Sequence, residues 1–204
     1  MHEAVFFTTE AIADYLRKYG KGADTKDYEF IVAVVLKNFC EDKWGEECKV
    51  GFQIKPEFAK ELPEEGTLDL EKIAELFSKG IDEDTPFDCS VIKAKPNEDG
   101  ITDGFAFQLK RFGIGREKAD TETLVAYINS LRKKYAKTDA AIVIILDGLG
   151  DPDIEFPRVR DEVDTDALPF SRLMFAWMKD DKVHIGETYP QYGVDEYDPI
   201  ALIQ

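Results

Sequence analysis

The chain is short of cysteine, of histidine and of long apolar runs, and each shortage removes a class of protein. Its three cysteines, Cys40, Cys48 and Cys89, form neither a CxxC pair nor an even set, and only His2 and His184 stand beside them. A disulfide framework and a structural zinc site are therefore not expected, and the three thiols read as small core residues in a reducing compartment. The longest uninterrupted apolar run, Ala140 to Leu146, is far shorter than the roughly 20 residues that cross a bilayer. No basic segment followed by an apolar one opens the chain, so the expectation is a cytoplasmic protein with no membrane contact. Internal repeats and low-complexity segments are also lacking.

Positive charge is scarce as well. Lys and Arg number 26 against 42 Asp and Glu, a formal net charge of −16, which argues against non-specific coating of nucleic acid. The distribution matters more than the sum. Residues 108–137 hold eight basic side chains against three acidic ones, or +5, which leaves −21 for the remainder. A length of 204 residues with 44% hydrophobic content suits one domain with a buried core.

What is present reads as a mixed α/β chain. "TTEAIADYLRKYG" has threonines for an N-cap, Ile12, Tyr15, Leu16 and Tyr19 at helical spacing, and Gly20 as a stop. A second, largely buried helix of about 16 residues follows in "DYEFIVAVVLKNFCEDKW", with Ile31, Val35, Asn38 and Phe39 toward the core. "CKVGFQIKP" predicts a strand stopped by Pro56, and residues 56–84 an excursion containing a helix from about Leu68 to Lys79. "DTETLVAYINSLRKKYAK" predicts a helix capped by Asp120 or Thr121, and "AAIVIIL" a strand covered on both faces, so that together they form a βαβ crossover. "DGLGDPDIEFPRVRDEVDTDALP" reads as a long acidic loop, and residues 170–189 as a final hairpin turning at Asp180 and Asp181.

The chemistry concentrates in "TPFDCSVIKAKPNEDGITDGFAFQLKRFG". In its second half Phe105, Phe107 and Leu109 alternate with Ala106, Gln108 and Lys110, so the amide and the ammonium share one face at i and i+2. Closing the hairpin with Pro96 facing Thr102 places Asp88 opposite Lys110 and Ser90 opposite Gln108, whereas a slip of one residue would mix the faces. A carboxylate and an amide oxygen are hard ligands suited to Mg²⁺, and a neighbouring lysine can orient or deprotonate a water or offset phosphate charge.

This arrangement resembles the core of the PD-(D/E)XK nuclease superfamily, the restriction-endonuclease-like fold. Pro86-Phe87-Asp88 stands for the "PD" element and Gln108-Leu109-Lys110 for "(D/E)XK", in the QxK form of the Mrr-like restriction branch. The resemblance covers about residues 26–146 and implies an α-β-β-β-α-β core with a helical insertion and a C-terminal β-hairpin, in one domain. It implies a Mg²⁺- or Mn²⁺-dependent DNA phosphodiesterase of restriction or defence type. Asp88, Gln108 and Lys110 would be catalytic, and Asp88, Gln108, Leu109 and Glu29 the metal set. Arg111, Arg116, Lys118 and Lys133, from "KRFGIGREK" and "LRKKYAK", would approach the phosphate backbone. A second reading, motivated by the −16 charge and by Gln108 in place of a carboxylate, is a non-catalytic descendant that docks a basic protein or imitates DNA. A third is an unrelated α/β domain whose polar hairpin face is only solvated. Monomer and homodimer both remain open.

Overall fold

The computed structural model describes residues 3–7, 11, 12, 14, 15, 17, 25–60, 70–80, 87–113, 120–146, 154–180 and 182–197. Among them are eight strands and a set of helices, a mixed α/β architecture. The chain divides into two compact units between Phe105 and Ala106, each with its own interior.

In the first unit, β1 (Glu3–Phe7) pairs antiparallel with β2 (Cys48–Ile54), and β2 pairs antiparallel with β3 (Cys89–Lys93). Helix α1 (Thr25–Trp44) packs on β2 and β3. Every residue from Val32 to Leu36 is buried, so the helix is apolar around most of its circumference, as befits an interior helix. Ile31 and Asn38, expected on the core side, are only half-buried, because a helix covered on several sides has no single core stripe. Lys37 is 9% exposed and ion-pairs with Glu41 at 2.7 Å, which also accepts from the Cys48 amide at 2.8 Å. A buried ammonium without such a partner would be costly. Phe30 meets Phe52 edge to face at 5.1 Å and Tyr15 at 5.7 Å, tying the helical residues near Ile12 and Tyr15 to this core.

After β2 comes a helical turn, Pro56–Ala59, then α2 (Leu70–Glu75), whose last turn widens into a π-turn over Leu76–Gly80. The helix expected to run regularly to Lys79 therefore ends sooner, with Ile73 and Leu76 still buried. Beyond β3 the chain turns at Asn97, whose side chain accepts from the amides of Asp99 and Ile101, and Gly100 supplies the positive φ of 76°. Asn97 donates to Ile101, but the Lys93 amide donates to Asp103, not to Phe105 as the expected register requires. At Lys93 the pairing is therefore offset by two residues from the expected register, an even shift that keeps each side chain on its face.

The second unit is a sheet of five strands. β4 (Gly104–Phe112), which begins in the first unit, pairs parallel with β5 (Ala141–Leu146), and β5 pairs parallel with β6 (Arg172–Lys179). β7 (Lys182–Tyr189) and β8 (Gly193–Tyr197) follow antiparallel. Parallel neighbours need crossovers, supplied by α3 (Thr121–Ser130, extended by a 3-10 turn Leu131–Lys133) and α4 (Phe156–Glu162). β5 is buried at every residue, as its unbroken apolar run predicts. One face of the sheet and both helices share a core that includes Phe112, Leu124, Ile128, Ile144, Phe175 and Trp177.

Three expectations need correction. The acidic stretch expected to be a loop contains α4 and a 3-10 turn, Thr165–Ala167, because Pro157 suits a first helical turn and Val159 has a core to enter. The final hairpin turns at Asp180, with φ 51°, as expected, yet its first strand is the third parallel strand of the sheet and β8 is added after it. β1 and β8 were missed because short strands with little alternation become strands only where a partner edge accepts them. Along residues 25–146 the order is helix, two strands, strand, helix, strand, with the excursion between β2 and β3.

Candidate functional site

Asp88 lies just before β3 and is half-buried; Glu29, on α1, is half-buried too. Both bear on the thiol of Cys89, which is pushed well above its usual range first by burial and then by the charges of Asp88, Cys40 and Glu29. Asp88 and Glu29 therefore both contribute negative charge near the buried Cys89 thiol. Such a pair is chemically apt for a hard divalent cation, although no group of three or more His, Cys, Asp or Glu suited to a metal occurs among the described residues. All three cysteines are free and buried, the core role their spacing implies.

In the second unit, Gln108 and Lys110 project from β4 on the face shared by Ala106 and Phe112, which line the helix-covered core. Gln108 is only 3% exposed. The Lys110 Nζ lies 5.9 Å from the centre of the Tyr135 ring, within cation–π range. The polar face expected on this strand is thus covered at Gln108 and half-covered at Lys110. Leu109 is buried on the opposite face and Arg111, on that side too, is half-buried. Lys133 is exposed on the 3-10 turn after α3; its neighbour Arg132 pairs with Asp164 at 3.2 Å. Arg116 and Lys118 lie outside the described residues, as does Pro86.

The order of the α3 crossover is set locally. Asp120 accepts from the Thr123 amide at 2.9 Å while the Thr123 hydroxyl accepts from the Asp120 amide, a reciprocal capping box that fixes where the helix behind β4 begins. Thr121 then accepts from the Glu155 amide at 2.9 Å, joining the start of α3 to the start of α4.

A cleft of about 400 Å³ at the end of β6, β7 and β8 was not foreseen. Lys179, Lys182 and Glu196 line it together with Phe156, Trp177 and His184. The only trace in the sequence is the i, i+2 spacing of Trp177 with Lys179 and of Lys182 with His184, which becomes legible once the strands are paired.

In comparison with known proteins, the chain matches no family model, no curated protein and no solved structure.

Proposed function

We propose that the protein is a divalent-metal-dependent DNA phosphodiesterase of the PD-(D/E)XK type, with Asp88 and Gln108 as metal ligands, Glu29 and Leu109 assisting, and Lys110 serving the attacking water. The observation that carries this reading is Gln108, an amide 3% exposed, set two residues from Lys110 on the same covered strand face. An amide and a lysine on one covered strand face supply a polar oxygen and a cation side by side, which apolar packing does not call for. The element order along residues 25–146 is the one that the resemblance implies.

In this reading Asp88, Gln108 and their neighbours would hold a Mg²⁺ or Mn²⁺, which would supply Lewis-acid polarisation of a phosphoryl oxygen. Asp88 contributes charge to hold it and Gln108 a neutral oxygen. Lys110, its ammonium held against the Tyr135 ring, orients the water that attacks phosphorus and offsets the negative charge that develops on the phosphoryl oxygens. The exposed Lys133 and the half-buried Arg111 attract the phosphate backbone, together with Arg116 and Lys118.

Asp88→Ala and Lys110→Ala should each abolish Mg²⁺- or Mn²⁺-dependent cleavage of duplex and single-stranded DNA, with circular dichroism and thermal unfolding unchanged. Cleavage at the parent rate by either folded variant overturns the reading. The net charge of −16 supports a second one, a non-catalytic relative that binds a basic protein in the manner of DNA. Tight binding to a basic partner with no uptake of Mn²⁺ by calorimetry selects that reading over the first.

A further inference from the structure

The strands of the first unit have one apolar side and one polar side. Cys48, Val50, Phe52 and Ile54 of β2 and Cys89 and Val91 of β3 are buried on the side where α1 packs, marked by the contact of Phe30 with Phe52 at 5.1 Å. The residues between them point the other way. On that side Phe6 is paired with Gly51, and Gly51 with Ser90. Gln53 follows Gly51 by two residues and Asp88 precedes Ser90 by two, so continuing the antiparallel ladder sets Gln53 level with Asp88 on the same side. Both are half-buried.

Among the described residues, Gln53 Oε1 is the one buried side-chain oxygen or nitrogen without a hydrogen-bond partner. Leaving a buried acceptor unmet costs the desolvation of that group, and native chains keep such an atom chiefly where an ion, a water or a reaction claims it. The surroundings add to the cost. Phe6 lies across Gly51 so closely that a Cβ there would meet its ring at 2.5 Å, which sets an aromatic wall beside Gln53. Phe6 is itself 38% exposed, so this polar side reaches solvent at its β1 edge. An amide oxygen and a carboxylate are both acceptors and cannot satisfy each other, whereas a hard divalent cation takes oxygen ligands of both kinds.

We propose that Gln53 Oε1 is a further ligand of the divalent cation assigned to Asp88. This rests on the metal-dependent reading given above and extends it to β2, a strand outside both the Asp88 and the QxK elements. The orphaned oxygen is the mark that the residues present suit such an ion, since a cation supplies the partner that the fold withholds. Because the ligand is neutral, it holds the ion without the charge that a carboxylate would bring, so affinity should respond strongly to the charge placed at position 53.

Mn²⁺ titrated into the EDTA-stripped chain and followed by calorimetry should show saturable uptake that Asp88→Ala abolishes. Gln53→Leu should weaken that uptake about tenfold, and Gln53→Glu should strengthen it about tenfold. Thermal unfolding supplies a second readout, and neither measurement depends on DNA cleavage. Without metal, Gln53→Leu should unfold at or above the parent's Tm, since an apolar side chain removes the unmet acceptor; with Mn²⁺ its Tm should rise less than the parent's. Uptake that Asp88→Ala abolishes but folded Gln53→Leu leaves at the parent affinity overturns the role of Gln53, keeps the metal-dependent reading, and assigns the oxygen to a structural water. A metal-free Gln53→Leu less stable than the parent overturns the role of Gln53 as well, because the oxygen then has a partner within the fold. No uptake of Mn²⁺ by the parent overturns both the role of Gln53 and the reading on which it rests.

Discussion

At Cys48 burial and charge act in the same direction. Desolvation, followed by the nearby Glu41 carboxylate, pushes its thiol from 9.0 up to about 11. The folded state thus keeps the proton to higher pH than the unfolded chain does. The stability this contributes is whole below pH 9 and is lost as pH rises from 9.0 to about 11, because the unfolded chain ionises first. Urea unfolding followed across that window should show stability falling with pH, and Cys48→Ala should make the fall shallower. A Cys48→Ala curve parallel to the parent's would mean that the thiol titrates alike in both states. Gln108 poses the opposite problem at the same scale. Its identity, a neutral amide, is plain in the sequence, yet its burial on the helix-covered face is a tertiary fact, since β alternation assigns a side chain to a face without saying what covers that face.

Among the elements, α3 is the one whose boundaries are most fully written in local chemistry. Asp120 and Thr123 close a capping box, and Leu124 and Ile128 recur one turn apart on the buried side. Asp120→Ala should cost about 1 kcal/mol in denaturant unfolding, with Asp120→Asn close to parent, because Asn can still accept from the Thr123 amide. Equal losses in both variants would assign the effect to charge and not to the cap. α4 shows the contrary case. Its seven residues carry one fully buried apolar side chain, Val159, too little periodicity to distinguish it from a loop. Strands divide in the same way: β5 is recognisable from its composition, whereas β1 and β8 owe their existence to the free edges of β2 and β7.

On the scale of the whole molecule, charge is unevenly spread over an acidic chain. The excess of +5 within residues 108–137 places Lys133, Lys134 and Lys137 on the exposed stretch after α3, against a background of −21 elsewhere. Any binding to DNA should therefore be weak and steeply salt-dependent. Lys133→Ala should lower affinity and reduce the slope of log K against log salt by about 1 in filter-binding or anisotropy assays. A slope left unaltered would remove Lys133 from the phosphate contacts. No helix of the described residues is long and apolar enough to cross a membrane.

The sequence by itself determined the buried helix α1, the βαβ unit through α3, the fully covered β5 and the shared face of Gln108 and Lys110. Each of these depends on local periodicity, capping or composition, which a chain carries wherever it goes. Only the tertiary structure decided that the Glu29 charge bears on Cys89, that β6 enters the sheet as a parallel strand, and that Trp177, Lys179, Lys182, His184 and Glu196 line one cleft. Those groupings join residues far apart in the chain through strand pairing and packing, and the free energy that selects them belongs to the folded interior, not to any one segment.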